Sequence, residues 1–233
     1  MRRTLTLVAI SLLAAVLAGC GSTKRVDGSA LAPSLPMPQA PHGKLTAAEF
    51  RPLLVAMTGL DAAQRSHDPA VAVRRLESIC ARLSGPPTRL FTAIAADCHG
   101  TAALYKSIVG LKGAFQSCKD NSPPGDPSCY VETLSGLRRV VAAALVTSRA
   151  SDRELKRRGL RGRCAAVIGS SRATLGALGA LRTSAGDAAS ALSNGDAPDY
   201  IADLHRVGRA ISSVDRSGYR GSQRRAILSC PHE

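Results

Sequence analysis

Tryptophan is absent from these 233 residues, and aromatic side chains make up only 3% of them. That scarcity argues against an aromatic platform for carbohydrate and against a ring ladder on which unpaired bases could stack. Acid is scarce as well. Asp and Glu number 17 against 31 Lys and Arg, and only five glutamates occur, spread too widely to make an acid/base pair. The motifs of common chemistries are missing: no G-x-S-x-G, no G-x-x-x-x-G-K-[ST], no G-x-G-x-x-G and no H-E-x-x-H. Gly169-Ser170-Ser171 falls inside a helical pattern, where a nucleophile elbow would need a preceding strand. The histidines (His42, His67, His99, His205 and His232) are scattered. A non-catalytic protein without cofactor or metal is the expectation.

Strand signals are equally lacking. No segment alternates apolar and polar residues for long, and no β-branched run is bounded by hairpin turns. Helical spacing takes over from Thr46. Thr46-Ala47-Ala48-Glu49 fits a capping box, followed by Phe50, Leu53, Leu54, Met57 and Leu60. Asp68-Pro69 predicts the next helix as N-cap and first-turn proline, with Leu76, Ile79 and Leu83 on one face, stopped by Gly85-Pro86-Pro87. A long helix is predicted from about Thr88 to Ser117 with the stripe Leu104, Ile108, Leu111 and Phe115. Asp126-Pro127 opens another, carrying Tyr130, Leu134, Leu137, Val141 and Leu145. Residues from about Arg163 to Leu192 form a further helix containing Gly169, Gly176, Gly179 and Gly186. Each glycine costs about 1 kcal/mol against alanine, so a packing role or a bend is expected there. Asp196-Ala197-Pro198-Asp199 caps a helix with Ile201, Leu204, Val207 and Ile211 on its face, and Ser222–Leu228 reads as a short terminal helix. The fold class is all-α: an antiparallel up-and-down bundle of about five to seven helices, stabilised by disulfides.

The N-terminus has a different character. Arg2 and Arg3 precede an apolar run, Leu5–Leu17, too short to span a bilayer, and Leu17-Ala18-Gly19-Cys20 closes it. This resembles the signal peptide and lipobox of bacterial lipoproteins. The resemblance implies cleavage after residue 19, lipidation (palmitate among the acyl chains) of Cys20, and anchoring to the cell envelope. It covers about the first tenth of the chain. In a two-membrane bacterium, Gly21 in place of aspartate implies the outer membrane; in a single-membrane one, the anchor puts the protein on the outer face of the plasma membrane. Two or three acyl chains would hold it firmly, since each buried methylene contributes about 0.8 kcal/mol. Gly21 to Lys44, interrupted by Pro33, Pro36, Pro38 and Pro41, reads as a tether reaching roughly 75 Å if fully extended. The organisation expected is therefore signal peptide 1–19, lipidated cysteine and tether 20–44, and helical domain 45–233.

Removing Cys20 from the seven cysteines leaves six, an even number that suggests three disulfides in an exported protein. No pair has C-x-x-C spacing. Cys98 and Cys118 lie on one predicted helix about 30 Å apart, which excludes their pairing. Cys118 and Cys129 flank a turn at matching depth and are the preferred pair. Cys80–Cys98 would join two successive helices, although their depths differ by roughly 9 Å. That leaves Cys164–Cys230.

Charge supplies the remaining lead. The net charge of +14 falls only to +12 without Arg2 and Arg3. Arg149, Arg153, Lys156, Arg157, Arg158, Arg161 and Arg163 crowd one segment against Asp152 and Glu154, and Arg206, Arg209, Arg216, Arg220, Arg224 and Arg225 make a second set. Such a surface suits the phosphates or carboxylates of anionic lipid or wall polymer, or an acidic protein partner. The plainer reading is a solvated helix end stabilised by the helix dipole. Nucleic acid fits only as a non-specific electrostatic partner. Asp196, Asp199 and Asp203, with His205, could ligate a hard cation, but caps and dipole partners are the ordinary use of aspartates at a helix start. A second class of function is a ligand-binding lipoprotein holding a small molecule or metal between helices, with space left by the small-residue helix.

Overall fold

Local hydrogen bonds set where the helices begin. In the computed structural model, which describes residues 43–51, 53–54, 68–123, 126–218, 228 and 230, Thr46 and Glu49 close the capping box reciprocally. Glu49 N–H donates to Thr46 Oγ1 at 3.3 Å and Thr46 N–H donates to Glu49 Oε2 at 3.1 Å. Residues 47–51 are helical. Helix α1, Pro69–Arg82, starts on Asp68, whose Oδ1 accepts from Ala70 and Val71. Helix α2, Arg89–Asn121, starts on Thr88, whose Oγ1 accepts from Phe91 N–H. Helix α3, Ser128–Arg157, follows Asp126, which accepts from the backbone and hydroxyl of Ser128. A 3₁₀ turn, Gly162–Cys164, leads into α4, Ala165–Ser193, and α5 runs Ala197–Gly218. Gly159, at φ 62°, ends α3 in the left-handed conformation that glycine enters without steric cost.

Among the described residues there is no β-strand. They form a helical bundle in which α2 packs on α3, α3 on α4 and α4 on α5, with α1 on α2. The main core joins Leu104, Leu134, Leu137, Val141, Leu145, Leu178, Leu181, Ala185, Val207 and Val214. Gly100 lets α2 lie close on α3: a Cβ there would stand 2.5 Å from Thr147 Oγ1. A second cluster gathers Leu45, Phe50, Leu53, Leu90, Leu155, Leu160, Cys164 and Cys230 at the pole where α2 begins and α3 ends.

The six cysteines join as Cys80–Cys98, Cys118–Cys129 and Cys164–Cys230. The depth difference expected between Cys80 and Cys98 is taken up by residues 83–88, whose first and last members are extended.

Three details depart from the sequence pattern. Ile201 is 57% exposed, and the buried stripe of α5 is Asp203, Val207, Ala210 and Val214 with Tyr200, Leu204 and Ile211 beside it. Among the described residues nothing lies within 4 Å of the Cβ that Gly169, Gly176 or Gly179 would carry, and α4 runs on without interruption. Of the four glycines only Gly186 is contacted, by the Arg138 side chain. The segment Gly162–Ser193 is long and apolar enough to cross a membrane, but that apolarity comes from small residues, and Leu178, Leu181, Ala185 and Ala188 are spent in the core. Met57, Leu60, the signal segment, the tether up to residue 42 and most of the terminal helix at 222–228 lie outside the described residues.

Candidate functional site

The charged segment predicted at Arg149–Arg163 divides into two kinds of residue. Arg158 turns inward. Its guanidinium donates to Glu49 Oε1, with the arginine side chain 12% exposed and the glutamate 1%. Glu49 is thus the hub of the pole: it closes its own helix cap, receives Thr88 Oγ1 at 3.3 Å and pairs with Arg158. Gly43 N–H also donates to Arg158 O at 2.9 Å, so the chain is held to the domain from residue 43. This corrects the expectation for Arg158, which is a tie between α3 and the capping-box turn and not part of an anion-binding surface. A buried carboxylate must be paired, and Arg158 supplies the cation.

The other cations stay outside. Arg149, Arg153, Lys156, Arg157, Arg161 and Arg163 are exposed. Lys156 pairs with the buried Asp152, and Arg157 Nη1 donates to Glu154 Oε1 at 2.5 Å. Among the described residues no acid pairs with Arg149, Arg153 or Arg161. Spacing of four along α3 puts Arg149, Arg153 and Arg157 along one face.

Part of that face forms one wall of an open groove of about 580 Å³. Ala150, Arg153, Glu154 and Arg157 of α3 line one side; Pro87, Thr88, Arg89, Thr92, Ala93 and Ala96 at the start of α2 line the other. Arg89 has no acidic partner among the described residues, and the first turn of α2 contains no acid. A cation there faces the positive end of the helix dipole, an arrangement that favours a bound anion. Three arginines against Glu154 leave two net positive charges in the lining. The rest of the lining is Pro87, Ala93, Ala96 and Ala150, with the Thr92 hydroxyl as a further donor; that of Thr88 is spent on Glu49. Sequence reading missed Arg89, because only the packing of α2 on α3 brings it opposite Arg153. Its local signal was its place immediately after the Thr88 cap.

Elsewhere between the same two helices, Asp97 of α2 accepts from Ser148 Oγ of α3 at 2.5 Å. Burial pushes the Asp97 carboxyl up to about 6 from 3.8, with the serine hydrogen bond acting the other way. A carboxyl whose folded value lies above its unfolded one favours folding most below pH 4, and that contribution is lost as pH rises through 6. Asp97→Asn is therefore expected to stabilise the protein at pH 7 by roughly 2–3 kcal/mol and to flatten the stability slope between pH 4 and 6. Urea midpoints measured across that range test it; an unchanged slope would remove Asp97 from the account.

The remaining candidates resolve locally. Asp196 Oδ1 accepts from Asp199 N–H at 3.1 Å, as a cap does, while Asp203 is buried and paired with Arg206. Among the described residues no three His, Cys, Asp or Glu side chains converge as metal ligands. Of the second basic set, Arg209 is exposed, and the side chains of Arg216, Arg220, Arg224 and Arg225 lie outside the described part. No known protein family, curated protein or solved structure matches the chain.

Proposed function

We propose that this chain is a lipid-anchored cell-envelope protein, its non-catalytic helical domain held on a tether and engaging an anionic partner through its basic face. In this reading the chain is cleaved before Cys20, acylated there, and exported to the outer membrane or to the outer face of a single plasma membrane. The helices run up and down, each antiparallel to the next, as the short connections between them favour. The observation that carries the functional part is the meeting of Arg89, Arg153 and Arg157 on one groove, with Glu154 the only acid in its lining among the described residues. Arginines at a helix C-terminus are ordinary; an unpaired one brought against them from the start of a second helix is not explained by the dipole. Anionic lipid and wall polymer are the partners such a protein meets first.

Mass spectrometry of the chain isolated from membranes should find an acylated Cys20 at its N-terminus. Cys20→Ser should abolish the modification and release the protein to the soluble fraction. An unacylated wild-type chain, or tight membrane retention of the variant, would refute the anchor. For the basic face, the Cys20→Ser chain should co-sediment with anionic vesicles or purified cell wall in a manner that weakens steeply with salt. Failure to bind either at low salt would reduce the arginines to a solubilising surface.

A further inference from the structure

The anionic-partner reading leaves open whether the arginines act as a diffuse field or as a site. Diffuse attraction needs only charge density, and the whole exposed face of α3 would serve. The groove has more than that. Its cations come from two helices, with Arg89 across from Arg153 and Arg157. Thr88 is fixed by its hydrogen bonds to Phe91 N–H and Glu49, and Arg158 fixes Glu49 in turn, so the wall from which Arg89 projects is held rigidly. Arg157 is held by Glu154. Arg89 and Arg153 themselves are exposed and carry no ion pair among the described residues, so their donors are open to a ligand between two fixed helix segments.

The lining also narrows the anion. One carboxylate offers two coplanar oxygens and is satisfied by a single arginine fork, whereas a tetrahedral phosphoryl group offers three acceptor oxygens to donors arriving from different directions. Two net positive charges match a dianion. The volume of about 580 Å³ is far more than a bare phosphate fills, and the walls beyond the arginines are alanine, proline and threonine, suited to a small stem bearing hydroxyl or methylene groups.

We propose that the groove between the start of α2 and the end of α3 is a phosphomonoester-binding site, with Arg89, Arg153 and Arg157 clamping the dianionic phosphoryl group. This rests on the anionic-partner reading and sharpens it. The ester could be the headgroup of a phosphatidic-acid-type lipid or a soluble molecule such as glycerol phosphate; the recognising chemistry is the same.

The test is calorimetric titration of the detergent-free Cys20→Ser chain at pH 7.5 with four probes. These are inorganic phosphate, glycerol phosphate, dihexanoyl phosphatidic acid below its micellar concentration, and dihexanoyl phosphatidylglycerol as a monoanionic diester. Saturable binding of the three phosphates that carry a dianion is expected, with the diester at least about tenfold weaker. Arg89→Gln and Arg153→Gln should each weaken binding about tenfold. Arg149→Gln, an exposed and unpaired arginine outside the groove, should not. Phosphatidic acid binding much tighter than glycerol phosphate identifies a lipid as the source; equal affinity identifies a soluble ester, and either supports the site. Equal loss from Arg149→Gln, or a diester that binds as well as the monoester, overturns it. If no phosphate binds while salt-sensitive vesicle binding persists, the groove fails and the basic-face reading stands. If both are absent, both fall.

Discussion

Arg158→Ala is expected to destabilise the domain by roughly 3–5 kcal/mol, the loss typical of breaking a buried ion pair from one side. Glu49 is 99% shielded from solvent, and its carboxylate receives the guanidinium of Arg158 together with the hydroxyl of Thr88 and the backbone of Thr46. With the arginine gone, a carboxylate stays buried with only neutral donors. The damage should spread to the start of α2, because Thr88 is both the N-cap of that helix and a donor to Glu49. Equilibrium urea unfolding gives the number. The diagnostic companion is the double variant Glu49→Met/Arg158→Met, which removes both charges and keeps apolar volume; it should be markedly more stable than either single change. A cost below about 1 kcal/mol for Arg158→Ala would mean that the pair behaves as a surface salt bridge and that the buried hub is not real.

The second large effect concerns the crosslinks. Cys164–Cys230 closes a span of 66 residues, against 18 for Cys80–Cys98 and 11 for Cys118–Cys129. Loop-closure entropy in the unfolded chain then gives about 4 kcal/mol for the first and about 3 kcal/mol for each of the others. Cys164→Ala/Cys230→Ala should lower stability most. It also opens the cluster formed with Leu45, Phe50, Leu90, Leu155 and Leu160, adding a packing loss to the entropic one. Chemical denaturation of the three paired alanine variants checks the order. If the short Cys118–Cys129 link costs as much as the long one, chain entropy is not what the bridges supply here.

What could be read from the sequence follows the range of the interaction. Thr46/Glu49, Asp68-Pro69, Thr88 and Asp126 are all at helix starts, because a cap is made by atoms within three residues of one another. The stripe Leu134, Leu137, Val141 and Leu145 is buried for a similar reason, since the pitch of one helix fixes which side chains share a face. Features set by a neighbour's shape were not legible. Ile201 looks like a core residue and Asp203 like a surface one, yet Asp203 is buried, with Arg206 covering its charge, and Ile201 is exposed. Gly169, Gly176 and Gly179 suggested a packing role or a bend, but no neighbouring group among the described residues reaches them and the helix is unbroken there. The inward turn of Arg158 and the meeting of Arg89 with Arg153 each join residues more than 60 positions apart. Charge density could mark the segment, but not which of its arginines would be spent on the interior.

The cluster that holds Leu45 and Phe50 also holds Cys230. Both ends of the folded unit therefore leave from the pole that bears the groove. The 33 residues of α2 put the Cys118–Cys129 turn about 50 Å away along that helix. Topologically the domain is close to a ring: a short linker could join its present ends, and new termini could be cut in the turn at 122–127 without breaking a helix. A reporter module fused at such a distal opening would leave the groove pole unobstructed, whereas one joined directly at Leu45 or Cys230 would stand beside it.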